Sequence, residues 1–240
     1  MRTILIGDLH GCLREWEKLL AACAFREEED RLVLLGDLMN KGRDSFGVWQ
    51  KAEKLKERMG ERFVCVRGNH DDLLLRAALH PEEKYLRFYH GVPETELSFR
   101  EGGQPLSACA AFLADLPYYA ETEHFFCVHA GLRAEDPAEE DPRVLLSDRT
   151  MQGGPAYGGK LVIAGHVPGA SPLYRAPSGE LLSLPCGQTL TLPEHGYLCL
   201  DTGCVYGNAL TAMVTDGKTY RLYAVPSSRR SGRTYSSQPS

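Results

Sequence analysis

The sequence predicts an α/β fold, a mixed-sheet β-sandwich flanked by helices. Three observations lead there. Short apolar runs alternate with helical patterns through the first part of the chain. Most of those runs stop at Gly, Asp, His or Asn. The last part changes to two apolar runs around Asp216-Gly217, the signature of an antiparallel hairpin.

The runs Thr3–Ile6, Leu32–Leu35, Phe63–Val66, Phe125–Val128, Leu161–Ala164 and Tyr197–Leu200 are rich in aliphatic, aromatic or β-branched residues and read as buried strands. Leu13, Trp16, Leu19, Leu20 and Cys23 make one apolar stripe at helical spacing. Phe46, Trp49, Ala52, Leu55 and Met59 make a second. Strand and helix alternating in this way imply βαβ units and parallel pairing. Ala209–Thr215 and Thr219–Val225 supply the closing hairpin. The acidic, Pro-bearing stretch 134–142 reads as an exposed loop. Residues 1–225 read as a single domain, and the Ser/Arg-rich tail from Pro226 to Ser240 as disordered.

At 240 residues, 43% hydrophobic and 25% charged, the chain can bury a sizeable core. A formal net charge of −5 gives no sign of a nucleic-acid or membrane-surface binder. The start Met1-Arg2-Thr3-Ile4 is charged too soon for a secretory leader, and no apolar run approaches the roughly 20 residues of a membrane span, so a cytoplasmic location is expected. None of the eight cysteines forms a CxxC pair, and Cys65, Cys127 and Cys199 fall inside strand runs, which predicts buried reduced thiols. With no segment resembling a dimerisation helix, a monomer is expected.

The chemistry sits where the strands end. The first run leads into Gly7-Asp8-Leu9-His10-Gly11, the second into Gly36-Asp37-Leu38-Met39-Asn40-Lys41-Gly42 and the third into Arg67-Gly68-Asn69-His70-Asp71. The fourth leads into His129-Ala130-Gly131 and the fifth into Gly165-His166. Carboxyl ends of strands line the ligand crevice of an α/β sheet. An Asp before Gly is ordinarily a turn former and a lone His ordinarily a packing residue. Five such events at five successive strand ends instead point to metal. Mixed carboxylate and imidazole donors suit first-row divalent ions such as Mn, Fe or Zn, and a shared carboxylate can hold two ions about 3.5–4 Å apart.

These motifs, in this order and spacing, resemble the calcineurin-like metallophosphoesterases. Within them they resemble the phosphoprotein phosphatase family, which includes symmetrical diadenosine-tetraphosphate hydrolases. The likeness runs from Ile4 to about Tyr206 and takes in the late run Leu200-Asp201-Thr202-Gly203-Cys204-Val205-Tyr206-Gly207. The resemblance implies two divalent cations, Mn²⁺ before Fe, Zn or Mg, and a hydroxide between them that attacks phosphorus. By position, Asp8 and His10 would hold one ion, Asn69, His129 and His166 the other, and Asp37 would bridge both. His70 would protonate the leaving oxygen, Arg67 would grip the phosphate, and Arg149, in a Ser-Asp-Arg context, would be a second clamp.

One pair departs from the pattern: Asn40-Lys41 stands where most members carry Asp-Arg. An uncharged Asn40 could still accept a hydrogen bond from the His70 ring but would leave it less basic, unless Asp71 or Asp72 compensates. Lys41 offers phosphate a point charge in place of a two-pronged grip. The Asn-Lys version occurs among members acting on nucleotides.

The leading expectation is a phosphoserine/phosphothreonine phosphatase. A dinucleoside-polyphosphate hydrolase is the rival, with a phosphodiesterase and a non-catalytic metal-binding scaffold behind it. The substrate is accordingly a phosphorylated protein or a nucleotide, with no stable nucleic-acid partner. Selectivity is expected in the loops around Leu79–Gln104 and Arg133–Tyr157, which carry no readable code. His80, His90, His124 and His195, outside any motif, read as surface or packing residues.

Overall fold

The computed structural model describes residues 1–89, 91–149, 153 and 158–229. In chain order the elements are β1 (Thr3–Ile6), α1 (Leu13–Ala22), β2 (Arg31–Leu34), α2 (Ser45–Met59), β3 (Phe63–Cys65), α3 (Asn69–Leu79), α4 (Val92–Glu101) and α5 (Ala110–Ala114). They continue with β4 (Tyr119–Glu121), β5 (Phe125–Val128), α6 (Pro142–Ser147), β6 (Leu161–Ala164), β7 (Leu173–Arg175) and β8 (Leu181–Ser183). β9 (Thr189–Thr191), β10 (Tyr197–Cys199), β11 (Ala209–Thr215) and β12 (Thr219–Pro226) complete the fold.

The strands form two mixed sheets, ordered β3-β2-β1-β11-β12-β9 and β4-β5-β6-β10-β7-β8. In the first, β1, β2 and β3 pair in parallel, and β11 runs antiparallel to β1. In the second, β5, β6 and β10 pair in parallel. The expected hairpin is β11–β12, in register from Ala209↔Pro226 to Thr215↔Tyr220.

Side-chain alternation explains why two sheets form. On β1, Ile4 and Ile6 face the helices while Leu5 faces the opposite sheet. Leu5 joins Val33, Phe125, Ile163, Leu198, Met213 and Leu222 in a buried layer drawn from both sheets. Trp16 and Leu19 of α1, with Trp49, Ala52 and Leu55 of α2, cover the outer face of the first sheet. A smaller layer of Phe126, Val128, Val162 and Tyr197 lies on the outer face of the second, against Leu132 and Leu145.

The structure corrects three sequence expectations. The stretch 79–104 contains a 3₁₀ turn at Lys84–Phe88 and the helix α4. The short strands β4, β7, β8 and β9 carry no strong apolar signal; β8 is exposed throughout. The expected tail is ordered over its first residues: β12 runs through Pro226, Ser227 N–H donates to Asn208 O (2.7 Å) and Ser228 N–H to the Glu15 carboxylate (2.7 Å). Residues 230–240 lie outside the described residues, as does His90. His80, His124 and His195 are exposed, as expected.

Because Leu5 lies between the sheets with no exposed surface, Leu5→Ala should cost roughly 2–5 kcal/mol of stability. Urea unfolding would report this as a lower midpoint at unchanged slope. A loss under about 1 kcal/mol would mean that the sheets do not share a close-packed layer.

Candidate active site

The predicted residues gather at one end of the sandwich, but not on one sheet. β1, β2 and β3 deliver Asp8, His10, Asp37 and Asn69 from the first sheet, and β5 and β6 deliver His129 and His166 from the second. The sheets meet closely here: a Cβ on Gly7 would lie 2.5 Å from the Leu200 carbonyl oxygen, so only glycine fits. Six non-glycine residues among those described have positive φ, and five are at the site: His10 (42°), Asp37 (49°), Asn40 (76°), Lys41 (63°) and His166 (67°). Such conformations cost about 1–3 kcal/mol each and concentrate where function demands a particular aim.

Asp37, 2% exposed, stands at the centre. Its Oδ1 accepts the His70 backbone N–H (2.9 Å) and lies 3.5 Å from His129 Nε2; its Oδ2 lies 3.4 Å from His10 Nε2. One oxygen thus faces each half of the donor set. Asp37 is common to two clusters of converging donor atoms, one with Asp8 and His129 and the other with His10 and His70.

Backbone carbonyls set the imidazoles. His10 Nδ1 lies 3.0 Å from Met39 O and His129 Nδ1 2.7 Å from Leu35 O. A carbonyl cannot donate, so both Nδ1 atoms carry the proton and both Nε2 lone pairs face the site. His129 Nε2 and His166 Nδ1 lie 3.0 and 3.2 Å from the same Asn69 oxygen. Lone pairs of nitrogen and oxygen facing one another require a proton or a cation between them. Burial lowers the His129 pKa to about 4, which removes the proton at neutral pH. Burial, together with His129 and Arg149, likewise brings His166 down to about 3.

The carboxylates give the same reading with the opposite sign. Burial raises Asp8 well above the usual range, helped by the neighbouring Asp201 and Asp37. It raises Asp37 to about 7 despite Lys41 and the His70 N–H, and Asp201 to about 6. Lys41, whose ammonium lies 2.9 Å from His10 Nε2, holds by its charge part of the place a cation would take. Neutral imidazoles, crowded carboxylates and converging lone pairs fit divalent cations, with Asp8, His10, Asp37, Asn69, His129 and His166 as the residues that would hold them.

Around this set the structure revises several roles. Asp71 is fully buried and accepts three backbone N–H groups, from Asp37 (2.8 Å), Leu38 (3.1 Å) and Gly68 (2.9 Å). It ties the β2 and β3 loops together and does not compensate for Asn40 at His70. Asp72 faces Arg67 (3.3 Å) and does not compensate either.

Asn40 also behaves differently from expectation. Its Oδ1 accepts the Lys41 N–H (3.2 Å), which turns its amide nitrogen to within 2.6 Å of His70 Nδ1. Asn40 therefore donates, and the His70 proton resides on Nε2. Burial first, then Lys41 and the neighbouring histidines, lower the His70 pKa to about 3.

Arg67 is engaged by the protein itself. Its guanidinium donates to the Leu113 (3.2 Å) and Ala114 (2.9 Å) carbonyls at the end of α5 and stacks over Tyr118. Arg149 is exposed and near enough to His166 for its charge to act on that ring. Asp201, beside Asp8, was absent from the sequence-level candidates. Its place after the β10 run, matching the other strand-end acids, was the signal available.

A cavity of about 990 Å³ opens beside these loops. It is lined by the residues following His10 and Lys41, among them Arg14 and Arg43, and by Tyr206 and Arg229. Lys41 Nζ lies over the Tyr206 ring at 5.6 Å, so the two share a wall between cavity and donor set.

Fold and donor set together define a divalent-metal phosphoester hydrolase. Residues 1–197 match the calcineurin-like phosphoesterase family, and the chain belongs to it. It is 33% identical to a symmetrical bis(5'-nucleosyl)-tetraphosphatase of Glaesserella parasuis over 56% of this chain and 46% of that protein, so the match spans about half the relative's length. It is 27% identical to the corresponding protein of Aromatoleum aromaticum over 93% of this chain and 97% of that one. Among solved structures, one provisionally described as a diadenosine tetraphosphatase superposes with a TM-score of 0.66 at 27% identity, covering 94% and 93% of the two chains. A serine/threonine phosphatase of Saccharomyces cerevisiae superposes with a TM-score of 0.62 at 12% identity over 96% and 81%, a likeness of fold. No helix among the described residues is long and apolar enough to cross a membrane.

The sign of the pH effect on metal binding follows. The imidazoles are already unprotonated at pH 7, whereas Asp37 must lose a proton held to about pH 7. Metal affinity should therefore fall as pH drops through 7, with proton release on binding. Calorimetry at pH 6 to 8 in buffers of different ionisation enthalpy measures that proton count; a count of zero at pH 6.5 would contradict the assignment.

Proposed function

We propose that the chain cleaves dinucleoside polyphosphates symmetrically, taking diadenosine tetraphosphate and water to two ADP, at a pair of Mn²⁺ ions. The observation that carries this reading is the near end-to-end likeness to the Aromatoleum tetraphosphatase. It displaces the phosphoserine/phosphothreonine reading favoured by sequence motifs alone, because the protein-phosphatase likeness is one of fold. The cavity beside the metal donors, with Tyr206 and three arginines on its walls, supports a substrate extending beyond a single phosphate. Seven of the eight cysteines are buried free thiols, which supports a reducing cytoplasmic setting.

When bound, the divalent cations supply Lewis acidity to the phosphoryl oxygens and lower the pKa of the attacking water. His70, half-buried at the start of α3, carries its proton on Nε2 and donates that N–H as a hydrogen bond to the leaving phosphate oxygen, stabilising the charge that develops there. Asn40 fixes that tautomer. Lys41 and Arg149 present positive charge to the polyphosphate. Asp71 keeps the Asp37 and Asn69 loops in register.

Offered diadenosine tetraphosphate and a phosphothreonine peptide side by side with Mn²⁺, the protein should release ADP from the first much faster than phosphate from the second, and Asp37→Asn should abolish both. A preference for the peptide would sink the proposal. His70→Asn should lower turnover by about 10²–10⁴-fold with metal content unchanged. Asn40→Asp, by placing a negative charge at His70 Nδ1, should raise the imidazole pKa from its low value and so bring a His70 titration into the pH–rate profile that the parent, with its ring neutral, does not show near pH 7. A pH–rate profile unchanged by Asn40→Asp would count against His70 as the group that meets the leaving oxygen.

A further inference from the structure

Beneath the loops that carry His10 and Asp201 lies a third cluster of donor atoms, separate from the carboxylate–imidazole set. Cys12 follows His10 by two residues, at the head of α1; Glu15 occupies the first turn of that helix; Cys204 follows Asp201 by three. They are 7%, 5% and 2% exposed, and their sulfur and carboxylate atoms all lie within 4.8 Å of one another. Tetrahedral coordination, with metal–sulfur and metal–oxygen lengths of about 2.3 and 2.0–2.2 Å, places donors roughly 3.5–4 Å apart, so little closure is needed.

The carboxylate is already oriented. Glu15 Oε1 accepts the Ser228 N–H (2.7 Å), as ligating carboxylates commonly are held by an outer hydrogen bond. Cys12 and Glu15 also line the cavity of about 990 Å³, which gives an ion a way in and a water for the remaining coordination position.

We propose that Cys12, Glu15 and Cys204 bind one thiophilic divalent cation, Zn²⁺ or Cd²⁺. Sulfur donors select ions of this kind, whereas the oxygen and nitrogen donors around Asp37 suit Mn²⁺. One chain thereby sorts two classes of metal between adjacent sites. Occupancy joins the β1–α1 loop to the β10–β11 connection, the two loops that also position His10 and Asp201. This inference is independent of the substrate assigned above.

The test is a Cd²⁺ titration of the full, reduced, chelator-stripped chain, followed by sulfur-to-cadmium charge-transfer absorption in the ultraviolet. The donors around Asp37 include no sulfur, so the band reports thiol-bound cadmium, and the cysteine variants assign it to the new site. It should saturate at one ion per chain, vanish in Cys12→Ser and in Cys204→Ser, and persist in Cys186→Ser. Glu15→Gln should keep the band and lose about tenfold in affinity. Circular dichroism and Mn²⁺-dependent turnover of Cys204→Ser show whether that variant is folded; if it is not, the Glu15→Gln shift carries the test. Absence of the band in the wild type, or its survival in both cysteine variants, would overturn the proposal. So would a Cys12–Cys204 disulfide in protein purified without reductant.

Discussion

A carboxylate 2% exposed is stable in its charged form only if the groups around it replace water, and at Asp37 they do so incompletely. One backbone N–H, from His70, and the charge of Lys41 support it, while burial pushes its pKa to about 7. That shortfall organises the region. Asp37 takes a left-handed backbone conformation, and the buried Asp71 secures it by accepting the N–H groups of Asp37, Leu38 and Gly68. Removing Asp71 would leave three inward-facing donors without their acceptor, at about 1–3 kcal/mol for each donor left buried and unsatisfied. The loops are thus held for a cation before one arrives, and binding need not supply the ordering.

The two-sheet architecture follows from the same demand. A single parallel sheet would offer its donors along a line, whereas Asp37 must have His10 near one oxygen and His129 near the other. Drawing those histidines from different sheets encloses the carboxylate from both sides. The Gly7–Leu200 approach is where the sheets come close enough to allow it. The inter-sheet apolar layer therefore fixes the spacing of the metal donors as well as contributing to stability.

How much of this could be read from sequence depends on how local each signal is. That Asp8, His10, Asp37, Asn69, His129 and His166 gather at one rim was legible because they follow short apolar runs and turns, and five such endings are hard to place anywhere else. The β11–β12 hairpin was legible from Asp216-Gly217. Strands β8 and β9 were not, since their residues are largely exposed and carry no apolar alternation, and the partner of β9 is β12, well separated from it in sequence. The partners of Arg67 were not legible either: its carbonyl acceptors lie at the end of α5, more than forty residues later.

Asn40 shows where residue type and geometry part company. From sequence, an amide in place of a carboxylate reads as a weaker acceptor for the His70 ring. In the structure the left-handed turn at Asn40 and Lys41 brings the Lys41 N–H onto the amide oxygen, so the amide nitrogen meets the imidazole. A carboxylate at that position would favour the doubly protonated ring; the amide favours the neutral ring with its proton on Nε2. A neutral acid is a weaker proton donor, and that is adequate for a good leaving group. A nucleoside diphosphate oxygen needs less help in departing than a serine or threonine alkoxide does. The Asn40–His70 pair therefore suits polyphosphate cleavage better than phosphoprotein hydrolysis, on grounds separate from the likeness to known tetraphosphatases.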